Sequence, residues 1–125
     1  MLKHYNIAAV MTDSPGQDNL QFLSKVTVTA NHAFIRWHGR NARHRYNYLY
    51  SKEELKPWVP KVKKIQLETQ VVRSYFNNHY GGKAVAHALE FKEMLGESLT
   101  TEEKHVIQHI KDYLNQIRHI PPTFA

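Results

Sequence analysis

The stretch AFIRWHGR, Ala33–Arg40, decides the fold. Its apolar and aromatic residues form a short run that Gly39 ends, the pattern of a β-strand with a sharp stop. Side chains alternate along a strand, so Arg36 and His38 share one face and Ile35 and Trp37 the other. Two similar runs flank it. NIAAVMT, Asn6–Thr12, is continuously apolar until the turn signal DSPG and reads as a strand buried on both faces. VVRSYF, Val71–Phe76, is stopped by NNHYGG. VTVT, Val26–Thr29, is a fourth candidate, a short strand or an extended approach to the next one.

Helical signals fall between and after these runs. Asp18–Leu23 fits a short helix or an irregular loop. Ser51 with Glu54 forms a capping box, and Leu55, Trp58, Val59, Val62 and Ile65 follow at helical spacing. Pro57 and Pro60 interrupt that stripe, so a kink or an irregular start is expected. Lys83–Leu95 reads as a helix carried by Val85, Ala88, Leu89, Lys92 and Leu95, with Gly96 as its stop. Thr100 and Glu103 repeat the capping box. Val106, Ile107, Ile110, Tyr113, Leu114 and Ile117 then mark a last helix, which PPTFA ends. Strands alternating with helices predict an α/β domain with parallel pairing and right-handed crossovers. The chain shows no internal repeat, low-complexity tract or linker, so residues 1–125 read as a single domain.

With 125 residues, 42% hydrophobic and 22% charged, the chain is too apolar for disorder and long enough for a real core. It has no cysteine, which removes disulfide and thiol chemistry. The apolar start is too short for a membrane span and has no signal-peptide layout, so the cytoplasm is the expected compartment and no membrane the expected partner. Lys and Arg number 17 against 11 acids, a net charge of +6 that favours phosphates, nucleic acid or other anionic partners. The positive charge gathers between Arg36 and Lys64, where only Glu53 and Glu54 oppose it.

Parallel α/β sheets place their sites outside the carboxyl ends of the strands. Those ends hold Asp13 and Ser14, then Arg36, His38 and Arg40, then Asn77, Asn78 and His79. An arginine within an apolar strand is costly unless it is paired or faces a wet cavity. Arg36 is therefore read as holding an anionic ligand or pairing with a carboxylate, with Asp13 as the candidate. His38 is a general base, a metal ligand or a histidine satisfied by the backbone. Gly81 and Gly82 turn the chain into a helix, and free N–H groups there would suit a phosphate, with Lys83 beside them. Asn77 and Asn78 can bond a ligand or cap the turn. Asp13, His38 and His79 have the types of a divalent metal site, but no spacing motif supports one, so no metal or cofactor is assigned. His105 and His109 lie four apart without a general-base glutamate between them, which reads as a solvated helix face. Tyr46, Tyr48 and Tyr50 among arginines either stack bases or pack a loop onto the sheet.

The strings AFIRWHGR, YNYLYSKEELKPWVPKV and YFNNHYGGKAV, with DSPG after NIAAVMT, resemble the YecE-like family, domain of unknown function 72. The resemblance covers about Leu2–Gly96 and leaves the residues from Glu97 onward outside it. It implies a partial TIM-like barrel: the C-terminal half, three to four parallel strands with flanking helices. It also implies a family with no established activity. Carried over by position, its residues are Asp13, Ser14, Arg36, His38, Gly39, Arg40, Phe76, Asn77 and Asn78. The family's T-A-D-F approach stands here as TANH, with Asn31 and His32 replacing an acid and an aromatic.

Two functions of different classes follow. One is an enzyme, or a remnant of one, for a phosphorylated or anionic substrate. Asp13 or His38 would act as acid/base, and Ser14, Arg36, Arg40, Asn77, Asn78, Gly81 and Gly82 would bind. The other is a non-catalytic nucleic-acid-binding module using residues 40–64. A half barrel leaves strand edges and an inner face open. A homodimer, a partner carrying the missing half-barrel, or the helix at 101–118 is expected to cover them.

Overall fold

The computed structural model of the chain describes residues 1–14 and 25–118. The Pro15–Gly16 part of the DSPG turn, the Asp18–Leu23 segment and the PPTFA stop lie outside the described residues. Three strands, β1 (Val10–Asp13), β2 (His32–Trp37) and β3 (Val71–Phe76), form a parallel sheet in the order β1-β2-β3. The register sets Asp13, Trp37 and Phe76 side by side, so all three carboxyl ends meet at one rim. Helices α1 (Lys52–Leu55), α2 (Trp58–Glu68), α3 (Lys83–Met94) and α4 (Thr101–Arg118) complete the described residues, with a 3-10 turn at Tyr80–Gly82.

The two faces of the sheet differ. On β2, Ala33, Ile35 and Trp37 are buried, and Trp37 packs against Trp58 of α2 at 5.3 Å and Phe91 of α3 at 5.2 Å. Met11, Leu55, Val62 and Ile65 complete this core. Each such aliphatic side chain contributes up to ~1.5–3 kcal/mol on burial. The opposite face is open: Phe34 stacks on Tyr75 at 4.9 Å, while Val10, Arg73 and Tyr75 are exposed. The expected burial of NIAAVMT on both faces is therefore corrected. Only Val10–Asp13 forms a strand, after a turn in which Asn6 has φ 54°, and Ile7 and Val10 are exposed. Val26–Thr29 forms no strand and pairs with none among the described residues.

The interrupted helix forms as its prolines require. Ser51 caps α1 in a capping box with Glu54, and α2 restarts after Pro57, which has no N–H to continue the ladder. In α3 the buried face is Ala86, His87 and Phe91, whereas Val85 is exposed, which corrects the expected stripe. A polar His87 occupies the core position and hides the periodicity. Gly96, at φ 97°, ends the helix as expected.

The second capping box also forms, with Thr100 Oγ1 accepting from Glu103 N–H at 3.1 Å. Helix α4 packs along α3 through Ile107 and Leu114, with the ion pairs Lys92–Glu103 at 2.9 Å and Lys111–Glu90 at 2.8 Å at its flanks. It thus covers α3 and the Tyr80–Gly82 turn, and leaves the open face of the sheet uncovered. That removes α4 as the expected cover of that face.

Candidate functional site

Asp13 closes β1 with its side chain on the helix-covered face, where it is 8% exposed. Its Oδ1 accepts from Arg40 Nε and from the Tyr50 hydroxyl, each at 2.9 Å. Oδ2 accepts from the Arg40 guanidinium at 2.8 Å and from Trp58 Nε1 at 3.1 Å. Burial pushes this carboxyl up, but the bonds from Arg40, Trp58 and Tyr50 and the charge of Arg40 outweigh it and hold it below its usual range. Arg40 is raised in turn by its bond to Asp13. The network continues: Arg40 lies 3.6 Å from Glu54, whose carboxylate also accepts from Tyr48 and caps α1. Tyr48 is pushed up to about 12 by burial and Glu54, and Tyr50 is raised by burial and by Asp13.

The partner expected for Asp13 is therefore corrected from Arg36 to Arg40. Gly39, at φ 94°, reverses the chain between them, which brings Arg40 back over Asp13. Arg36 points to the other side of the sheet. There its Nε donates to Asn77 Oδ1 at 3.1 Å, and no carboxylate among the described residues pairs with it.

The rest of the polar set divides along the same line. His38 follows β2, is 7% exposed, and its N–H donates to Asp13 O at 2.9 Å. Its ring meets Tyr46 at 6.0 Å, Tyr46 meets His79 at 5.8 Å, and His79 stacks on Tyr80 at 4.9 Å. Tyr46 stays 41% exposed, whereas Tyr48 and Tyr50 pack the loop onto the sheet. Ser14, half-buried, follows Asp13 at the rim. Asn78 is fully buried and donates to Tyr48 O at 2.8 Å, which holds the loop.

Gly81 and Gly82, with φ 63° and 78°, do turn the chain into α3, but α4 sits on them. A Cβ on Gly81 would lie 2.8 Å from Leu114 Cδ2, and one on Gly82 3.2 Å from Ile110 Cγ1. Their missing side chains make room for α4. The described residues hold no cluster of three or more metal-ligating side chains. His105 and His109 are exposed on α4. No helix among the described residues is long and apolar enough to cross a membrane. Tyr50 and Trp58 are the site-forming residues that the sequence reading did not assign. Their only advance signal was an aromatic residue on each side of a capping box.

Fold and rim together define an α/β protein whose parallel strands carry their polar residues to one end. The particular family follows from comparison: residues 1–109 match the family described as "Protein of unknown function DUF72", and the chain belongs to it. The match extends past Gly96 into α4. A solved DUF72 family protein from Thermotoga maritima MSB8 is 37% identical, with 77% of this chain and 39% of that one covered and a TM-score of 0.70. Two crystal structures of a DUF72 family protein from Enterococcus faecalis V583 are 28% and 30% identical, with TM-scores of 0.69 and 0.68. They cover 79% and 78% of this chain and 40% of theirs, so the chain spans about two fifths of the length of these relatives. No curated protein matches the chain.

Proposed function

We propose that the open-face side of the rim binds a phosphorylated or otherwise anionic small substrate, as an enzyme site would. Arg36 is the anion holder, Asn77 fixes its guanidinium, and His38 is the acid/base. One observation carries this reading: Arg36 is held at Nε by a neutral amide, with no described carboxylate to neutralise it. A guanidinium fixed in this way keeps its remaining N–H groups for a ligand. Asp13 and Arg40, first read as acid/base and anion holder, instead position the loop, since their charges answer each other.

Inorganic phosphate is expected to raise the melting temperature at millimolar concentration in the wild-type chain and not in Arg36→Ala. Equal stabilisation of both would rule Arg36 out. The nucleic-acid reading of residues 40–64 has less support, because Arg40, Tyr48 and Tyr50 are engaged within the fold. A gel shift that weakens steeply with added salt would favour it over the small-ligand reading.

The open face and the outer edges of β1 and β3, which pair with no further strand among the described residues, bear on how such a site is completed. In our reading, further strands cover them, from a second copy or from a partner carrying the rest of a barrel. Light scattering on the 125-residue chain at micromolar concentration is expected to give a dimer. A well-folded monomer with the open face still exposed would contradict this.

A further inference from the structure

A cavity lies between the Leu49–Lys52 segment, α3 and α4. Its volume is about 330 Å³, within the range of small-molecule sites. Leu49, Ala86, Ile110 and Leu114 give it apolar walls, and Lys52, Lys111 and Arg118 bring positive charge to it. A neighbouring hollow of about 260 Å³ shares Leu49, Leu114 and Arg118 and adds Lys83.

Among the described residues Glu90 is the only carboxylate in the lining, and Lys111 holds it at 2.8 Å. On its other side stands the buried His87, whose Nε2 accepts from Tyr50 N–H at 3.1 Å. Nδ1 therefore carries the proton that faces Glu90 at 3.4 Å. Together His87 and Lys111 hold the Glu90 carboxyl down at about 2 against its burial. Lys52 and Arg118 pair with no carboxylate among the described residues. Lys83 is made less basic by burial and, secondarily, by the nearby charge of Arg118.

We propose that this cavity binds an amphiphile with a phosphate head and an apolar tail, the head between Lys52 and Arg118 and the tail along Leu49, Ile110 and Leu114. Two unpaired cations beside an apolar hollow match a doubly charged head on a hydrocarbon chain, and neither half alone satisfies both surfaces. The site shares no residue with Arg36, Asn77 and His38, so it stands or falls independently of the rim.

Octyl phosphate below its micellar concentration is the probe, followed by amide NMR shifts. Saturable shifts at Ala86, His87 and Leu114 are expected, with little response to inorganic phosphate or to octanol at the same concentrations. Lys52→Ala combined with Arg118→Ala is expected to weaken binding at least tenfold. Both side chains are on the surface, and circular dichroism checks that the double variant folds. Arg36→Ala is expected to leave the affinity unchanged. No saturable shift, an undiminished affinity in the double variant, or shifts confined to the strand rim would overturn the proposal.

Discussion

Asp13→Ala is expected to destabilise the chain by about 3 kcal/mol, near the lower end for breaking a buried ion pair. Three groups lose their acceptor at once. The Trp58 indole and the Tyr50 hydroxyl are buried, and each left unpaired costs about 1–3 kcal/mol. The Arg40 guanidinium is 37% exposed and recovers part of its hydration, which keeps the total from rising further. Arg40→Ala should cost less, because Asp13 then keeps its two buried neutral donors. Thermal melts of the two variants give the comparison, with Asp13→Ala lower by roughly 10 °C than wild type. A loss below 1 kcal/mol for Asp13→Ala would mean that Asp13 does not hold the loop. The pH dependence has a definite sign. Because the folded-state pKa is lowered, the stabilisation is present above the ordinary carboxylate range and is lost as pH falls through the lowered value. Asp13→Ala should flatten that acid limb.

The second large effect is expected at Gly39. A Cβ there would lie 2.2 Å from Arg45 O and 2.6 Å from Tyr48 Cβ, at a φ of 94° that L side chains rarely adopt. The clash is with backbone, which cannot swing away. Gly39 N–H also donates to Tyr50 Oη at 2.9 Å, so any shift of the glycine disturbs the hydroxyl that supports Asp13. Gly39→Ala is expected to cost about 3 kcal/mol, from conformational strain and overpacking together. Urea unfolding measures it. A variant within 0.5 kcal/mol of wild type, roughly the scatter of neutral surface changes, would show that the loop relaxes around the new methyl.

Gly39 also marks where the sequence stopped being legible. The strand over Val71–Phe76, the two capping boxes and the proline break after α1 were all readable, because each is a local matter of side-chain chemistry and spacing. That the polar residues at 13, 36, 38 and 78 meet at one end was equally readable, since parallel pairing dictates it. Which arginine meets Asp13 was not. It depends on a positive-φ reversal between residues 38 and 40, and the letters R-W-H-G-R do not reveal its direction. The packing role of the Gly81–Gly82 turn was hidden for a different reason: its neighbours are Leu114 and Ile110, more than 25 residues away, and only tertiary packing reveals them. On α3 a core histidine broke the apolar rhythm, so the periodicity pointed to Val85, which is 51% exposed.

The division of the rim into a self-satisfied Asp13–Arg40 pair and an Arg36 held only by the Asn77 amide among the described residues is the central claim, and arginine side-chain NMR tests it most directly. Phosphate is titrated while the Nε–Hε signals of both arginines are followed, assigned through Arg36→Lys and Arg40→Lys. The Arg36 signal is expected to move and saturate, while the Arg40 signal, locked on Asp13, stays in place. Movement of Arg40 with Arg36 unchanged, or no movement of either at millimolar phosphate, would contradict it.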